Sequence, residues 1–247
     1  MKKLRVAIAG LTACSGCQLS LLNCEDELPG LLELFEFQFF PMACSPALLA
    51  DEYDAALVEG CLSMPHEKEL LQELRRRSRY LVALGTCALC GGVAALRNGE
   101  DRELLRQQVY GQNQVAAETF DPLPLQSVVR VDAAVSGCPP EKDELLRLLA
   151  GLVRGALPAG IDYSVCTECR MRENECLLME RNALCLGPLT LGGCGARCPS
   201  LSVPCEGCRG PVPDANLAEA LEIYGQKGFD RITVLGRLRR FWPEWKL

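Results

Sequence analysis

Histidine is almost missing: His66 is the only one in 247 residues. A Cys–His nucleophilic pair would have to use it. His66 follows Met64-Pro65 at an expected helix start, where it reads as a solvated or capping residue. Positive charge is also in deficit, with 26 Lys and Arg against 32 Asp and Glu and a net charge of −6. A phosphate-binding surface needs the opposite balance, so nucleic acid is not an expected partner. Two Trp and five Tyr leave few platforms on which bases could stack. No apolar run approaches the eighteen or so residues that a membrane-spanning helix requires, so none is expected. Hydrophobic residues still make up 49% of the chain, enough for a sizeable core in one large or two smaller domains.

Cysteine is abundant, with 16 in all. Disulfides, zinc and iron–sulfur clusters are the competing explanations. Disulfides need an oxidising compartment, which makes the first residues decisive. Met1-Lys2-Lys3 and the stretch Leu4 to Ala13 imitate a lipoprotein signal, with Leu11-Thr12-Ala13-Cys14 as a cleavage box. Arg5 interrupts that stretch and leaves eight apolar-rich residues before Cys14. The same residues read as a buried first strand, Leu4 to Ala9, ending at Gly10. A reduced, intracellular protein is the favoured reading, and in such a protein clustered thiols hold metal.

Residues up to about 155 alternate short β-rich runs with longer amphipathic runs, which indicates an α/β domain with a mainly parallel sheet. Strands are expected at Leu4–Gly10, Phe35–Phe40, Asp54–Glu59, Tyr80–Leu84 and Ser127–Val131. Helices are expected from Gln18 to Leu28, broken by Pro29-Gly30, and from Glu67 to Arg79, with Leu70, Leu71 and Leu74 on one face. Arg75-Arg76-Arg77 reads as a solvated face of that helix. Another helix begins at Pro139-Pro140-Glu141, with Leu145, Leu146, Leu148 and Leu149 as its apolar side. The character changes near Ala156-Leu157-Pro158-Ala159-Gly160. From Cys166 to Cys208 the chain has eight cysteines and no sustained periodicity, a composition that needs metal or disulfides to fold. A helix over Ala215–Tyr224 and a short strand over Ile232–Leu235 are expected after it.

Cys14 and Cys17 follow the first strand, Cys87 follows Tyr80–Leu84, and Cys138 follows the strand around Val131 to Val135. All leave carboxyl ends of strands, the edge at which open parallel sheets bind ligands. Four thiols converging there suit a 4Fe–4S cluster, and adjacent glycines let backbone N–H groups reach its sulfides. Cys90 stands three residues from Cys87, and spacing leaves open which of the two binds. In the second half, Cys166 and Cys169 form one C-x2-C pair and Cys205 and Cys208 another. Cys176, Cys185, Cys194 and Cys198 lie between them, and Cys198-Pro199 resembles the ends of ferredoxin motifs. Eight thiols suit two clusters. A zinc ribbon built from the two pairs would use only four of the eight. Cys24 and Cys61 read as packing residues, and Cys44, between Pro41 and Pro46, has no assigned role. Glu59, at the end of a strand on the same edge, either relays protons or caps a helix.

These motifs resemble the small, electron-transferring subunit of nickel–iron hydrogenases, especially the soluble group of sulfhydrogenase delta and viologen-reducing small subunits. The resemblance rests on C-S-G-C-Q-L-S at Cys14–Ser20, V-E-G at Val58–Gly60, G-T-C-A at Gly85–Ala88 and G-C-P-P at Gly137–Pro140. It extends through C-L-G-P-L-T-L-G-G-C-G-A-R-C-P at Cys185–Pro199 and C-E-G-C-R-G at Cys205–Gly210. It implies a flavodoxin-like domain over residues 1–157, then a small cysteine-rich, ferredoxin-like iron–sulfur domain over 158–247 with a C-terminal helix. It implies three 4Fe–4S clusters. Cys14, Cys17, Cys87 and Cys138 would hold the proximal one, which favours Cys87 over Cys90. Cys166, Cys169, Cys176 and Cys185 would hold the distal cluster, and Cys194, Cys198, Cys205 and Cys208 the medial one. The implied partners are a nickel–iron large subunit, on which dihydrogen is split, and an acceptor subunit carrying flavin or iron–sulfur. The related complex I subunit is a poorer match, having adjacent cysteines in its first motif and no second cysteine segment.

Membrane-bound members of the family use a histidine at the distal cluster and carry a twin-arginine signal. Their absence here implies all-cysteine ligation and a cytoplasmic location. Oxygen-tolerant members carry an additional thiol between the first two proximal ligands, where this chain has Ser15 and Gly16. The resemblance therefore implies an ordinary proximal cluster that oxygen damages. Hydrogenase activity should decline on prolonged exposure to air, and activity that persists would contradict this expectation.

Overall fold

The computed structural model describes residues 2–45, 49–111 and 118–243. Pro46 lies outside them. The first half alternates strand and helix: β1 (Leu4–Gly10), α1 (Gly16–Leu22), α2 (Leu28–Leu34), β2 (Phe35–Phe39), β3 (Tyr53–Glu59), α3 (Pro65–Arg77) and β4 (Ser78–Leu84). It continues with α4 (Gly85–Cys90), α5 (Arg102–Tyr110), β5 (Ala133–Val135) and α6 (Lys142–Val153). The five strands form one sheet in the order β2-β1-β3-β4-β5, with every neighbouring pair parallel. That order is the flavodoxin-like form of the doubly wound sheet.

The strands read as nearly continuous apolar runs because both faces are covered. Side chains alternate between the two faces. Val6, Ile8, Leu57, Val82 and Leu84 pack with Leu21 of α1 and with Leu145, Leu148, Leu149 and Leu152 of α6. Ala7, Ala9, Ala56, Val58, Leu81 and Ala83 pack on the other side against Leu71 and Leu74 of α3 and against Leu125. The order of the sheet reverses direction at β1 and β3, so the loops after these two strands part at their carboxyl ends and leave a crevice.

Several elements differ from the sequence reading. The helix expected from Gln18 to Leu28 ends at Leu22, residues 23–27 form turns, and Pro29-Gly30 sits inside α2 rather than ending a helix. Pro29 occupies its first turn, where a missing N–H costs nothing. No strand forms over Ser127–Val131. Leu125–Ser127 is a 3-10 turn, while Val128, Val129 and Val131 pack against the second core. The last strand starts later because Asp132 accepts the N–H of Leu81 at 2.8 Å and ion-pairs with Arg75. Arg75 and Arg77 are thus not simply solvated. Arg75 also donates to the carbonyl of Ser78 at 2.6 Å, and Arg77 to that of Ala50 at 2.7 Å.

Beyond residue 160 the helices are short: α7 (Val165–Met171), α8 (Leu177–Glu180) and α9 (Arg197–Ser200). Two longer helices follow, α10 (Leu217–Gln226) and α11 (Arg231–Arg239). The strand expected over Ile232–Leu235 lies within α11. Its β-branched run suggested a strand, but Asp230 caps a helix there, accepting the N–H of Thr233 at 2.9 Å. Val234, Leu235 and Leu238 then join Val165, Leu178, Leu186, Leu189 and Tyr224 in a third apolar cluster. The cysteine-rich segment supplies Val165, Leu178, Leu184, Leu186 and Leu189 to this cluster, and α10 and α11 close it with Ala220, Tyr224, Val234, Leu235 and Leu238. Among the described residues no helix is long and apolar enough to cross a membrane.

Candidate metal centres

The first group of thiols stands at the crevice. Cys14 lies in the loop after β1, and Ser15 takes a left-handed conformation (φ 64°) that turns the chain into α1. The free N–H groups at the start of α1 need an acceptor. Glu59, at the end of β3 and 1% exposed, provides it. Its carboxylate accepts the N–H of Cys17 at 3.1 Å, the N–H of Gln18 at 3.2 Å and the Gln18 side-chain amide at 2.9 Å. Of the two roles read from the sequence, the structure gives Glu59 that of a cap. A second buried carboxylate, Glu67, fixes the preceding turn. It accepts from the Thr12 hydroxyl at 2.7 Å and from the N–H groups of Ser63 and Met64 at 2.8 and 3.0 Å.

Cys87 lies in α4 rather than in a loop, directly after the end of β4. The N–H of Thr86 donates to the carbonyl of Gly137 at 3.0 Å, tying the Cys87 turn to the Cys138 loop. Glycine is required here. A Cβ on Gly85 (φ +79°) would run into the Cys17 sulfur, and one on Gly92 (φ +55°) would stand 2.6 Å from the Cys87 sulfur. The Cys90 thiol lies 3.0 Å from the carbonyl oxygen of Thr86 and 2.9 Å from that of Phe241, on the C-terminal segment.

Burial pushes the Cys17 thiol far up, and the Glu59 carboxylate and the Cys87 and Cys14 sulfurs push it further. Cys87 rises through burial and then through Cys14, and Cys138 through burial and then through Cys87 and Cys14. Cys14, Cys17, Cys87 and Cys138 are therefore within electrostatic reach of one another. A cation that replaces their protons would relieve both the desolvation and the mutual repulsion, so this donor set fits a thiolate-bound metal group. Among the described residues no three His, Cys, Asp or Glu side chains stand together tightly enough to hold a single metal ion.

The remaining thiols divide into neighbourhoods. Cys166, on α7, is pushed up to about 12 by burial and then by Cys185, Cys169 and Cys176. Cys208 is pushed up to about 11 by burial, with Cys194 and Cys198 adding to the rise. Cys205 lies between the two neighbourhoods. Its thiol is pushed up to about 12 by burial and then by Cys185 and Cys208, and its N–H donates to the Cys185 sulfur at 3.2 Å. Glu168, between the first pair of cysteines, accepts the N–H groups of Gly193 and Ala196 at 2.7 and 3.1 Å and so holds the Cys194 loop. Tyr224 of α10 donates to the carbonyl of Cys185 at 2.8 Å. Cys24 and Cys61 are buried, and Cys44 and His66 are exposed.

The first and last groups meet at a seam. The Thr86 hydroxyl donates to the carbonyl of Cys208 at 2.6 Å, and the nearby backbone of Cys138 works against the rise of the Cys208 thiol. Glu67 marks a helix start that its spacing from Met64 could have revealed, whereas no local pattern marks Thr86, Glu144, Glu168 and Arg209, whose partners lie far away in the chain.

A family described as NADH ubiquinone oxidoreductase, 20 Kd subunit, matches residues 14–152. Sulfhydrogenase 2 subunit delta of Pyrococcus furiosus is 40% identical, over 89% of this chain and 92% of that protein. A vhu subunit of the F420-non-reducing hydrogenase of Methanocaldococcus jannaschii is 32% identical, over 94% of this chain and 93% of that protein. A chain of the NAD+-reducing NiFe-hydrogenase crystallised in its H2-reduced state superposes with a TM-score of 0.56 at 32% identity. It covers 64% of this chain and 96% of its own length. The NiFeSe-hydrogenase of Dm. baculatum, 20% identical, shares the fold with a TM-score of 0.58 over 87% of this chain and 97% of its own. The chain belongs to the small subunits of nickel–iron hydrogenases, the iron–sulfur, electron-transferring subunits of these oxidoreductase complexes. The 20 Kd family matches only the sheet-forming part, whereas the sulfhydrogenase and F420-non-reducing relatives match 89% and 94% of the chain.

Gly85→Ala would drive a methyl group into the Cys17 sulfur. It should lower the iron and sulfide bound to the chain. Gly30→Ala, whose Cβ meets nothing within 4 Å, should leave both unchanged. Equal metal content in the two variants would refute this picture of the first group.

Proposed function

We propose that the chain is the electron relay between the nickel–iron site of a large subunit and an acceptor subunit carrying flavin or iron–sulfur. The observation that carries this reading is the chain of thiol groups. Four stand at the crevice of the sheet, eight more stand in the cysteine-rich segment, and the Thr86 contact with the Cys208 carbonyl joins the two sets. Each group would hold one 4Fe–4S cluster, three in all. Such clusters supply one-electron transfer at potentials set by hydrogen bonds and burial.

Cys14, Cys17, Cys87 and Cys138 are the ligands assigned to the proximal cluster, supported by their mutual electrostatic reach. Cys166, Cys169, Cys176 and Cys185 are assigned to the distal cluster. Cys194, Cys198, Cys205 and Cys208 are assigned to the medial one, with Cys205 as the ligand that also borders the distal set. Residues 1–157 would form the flavodoxin-like domain and residues 158–247 the cysteine-rich one. The relatives' names, which include an NAD-reducing hydrogenase subunit and an iron–sulfur subunit, support both the cofactor class and the presence of further subunits. We assign the chain to the cytoplasm, a reducing compartment in which so many cysteines stay available as ligands.

The chain's own part in this reading is to bind and orient. The Glu59 cap fixes Cys17, the Thr86–Gly137 contact fixes Cys87 and Cys138, and Glu168 and Tyr224 fix the loops of Cys194 and Cys185. Iron, zinc and acid-labile sulfide should be counted on anaerobically purified protein. About twelve iron and twelve sulfide per chain are expected for three such clusters. Zinc with little iron and no sulfide would overturn the relay and leave a zinc-stabilised interaction protein.

A further inference from the structure

Arg209 follows Cys208 directly and is buried, with 2% of its side chain exposed. A guanidinium stays charged in a protein, so such burial requires partners. It has them on both sides of the seam. Nε donates to the carbonyl of Gly192 at 2.6 Å, Nη1 to that of Ser136 at 2.7 Å, and Nη2 to the Glu144 carboxylate at 2.9 Å. Glu144 is itself mostly buried, 11% exposed, on α6. The Ser136 hydroxyl returns a hydrogen bond to the Arg209 carbonyl. Gly193 makes room for the guanidinium: at φ +108° it lies so close that a Cβ would stand 2.5 Å from Nη2.

The cation therefore sits between the loops of Cys194 and Cys208. Burial raises both thiols, and the Arg209 charge acts on each in the opposite sense, favouring the anion. Any group bound by these sulfurs gains a negative charge when it takes up an electron. A fixed cation beside it in a medium of low dielectric favours that reduced state, and a carboxylate disfavours it. We propose that the Arg209–Glu144 pair is a positioning element for the relay, which sets the potential of the cluster held by Cys194 and Cys208 through two opposed buried charges. The proposal rests on the relay reading of the preceding subsection.

The test is an EPR-monitored redox titration of the anaerobically purified complex, with iron counted in each sample. Arg209→Met removes the cation and should shift the midpoint of one cluster downward. Glu144→Gln removes the carboxylate and should shift the same midpoint upward, leaving the other midpoints in place. The double variant carries neither charge and should fall between the two. A purely structural role would disturb all variants in the same sense or lose iron, so the reversal of sign is the diagnostic result. Unshifted midpoints, or shifts of one sign in both single variants, at full iron content would overturn the proposal. If Arg209→Met does not assemble because Glu144 is left unpaired, Glu144→Gln alone decides: an upward shift supports the proposal and no shift overturns it. A wild-type sample without iron–sulfur signals would instead overturn the relay itself.

Discussion

Thiolates crowded together away from water repel one another and forfeit hydration, and most of the fold can be read as a scaffold that forces such crowding. Burial is the largest contribution to the raised thiols in all three neighbourhoods, and neighbouring sulfurs add to it. Protonated, these thiols are neutral and tolerate burial; as thiolates they need a cationic group that displaces the protons. The supports lie beside the thiols. A buried Glu59 caps α1, glycines at 85 and 92 admit the sulfurs, and Glu67 anchors the turn before Cys14. Binding the metal group and completing the fold are thus coupled, most strongly in the cysteine-rich segment, where Cys185 and Cys205 are themselves part of the apolar cluster that α10 and α11 close.

The two halves are joined by polar contacts at the thiol sites themselves. Thr86 stands beside Cys87 and donates to the carbonyl of Cys208, and the Ser136 hydroxyl donates to the carbonyl of Arg209. The Arg209–Glu144 pair closes the same seam. Breaking one partner of a buried ion pair typically costs about 3–5 kcal/mol, because the other charge is left without compensation. The seam therefore acts as a lock as well as a conduit, and it fixes the first group of thiols against the last. The C-terminal segment adds a clamp, since Phe241 meets the Cys90 thiol and Trp242 packs on Gly210.

Much of this was legible in the sequence. Runs such as Leu4–Gly10 and Tyr53–Glu59 betray strands covered on both faces, and cysteines placed just after strands point to the ligand-binding edge. The errors have identifiable causes. Pro29 suggested a break but occupies a first helical turn, and the β-branched Ile232-Thr233-Val234 sits in a helix because Asp230 caps it. The valines at 128, 129 and 131 pack in the core without pairing to β4, since Asp132 sets where β5 begins. The pairing of Arg209 with Glu144 could not be read at all. The two residues lie 65 positions apart and carry no local pattern that links them.

The central claim is that the thiol groups form one connected line through the seam at Cys138 and Cys208. The most direct measurement is EPR of the fully reduced, anaerobically purified complex, compared with samples poised so that only one cluster is reduced. Neighbouring clusters held on the two sides of this seam should couple magnetically, so the fully reduced spectrum should be broadened and should not equal the sum of isolated signals. A spectrum that is the simple sum of independent clusters would contradict the line of thiol groups described for this chain.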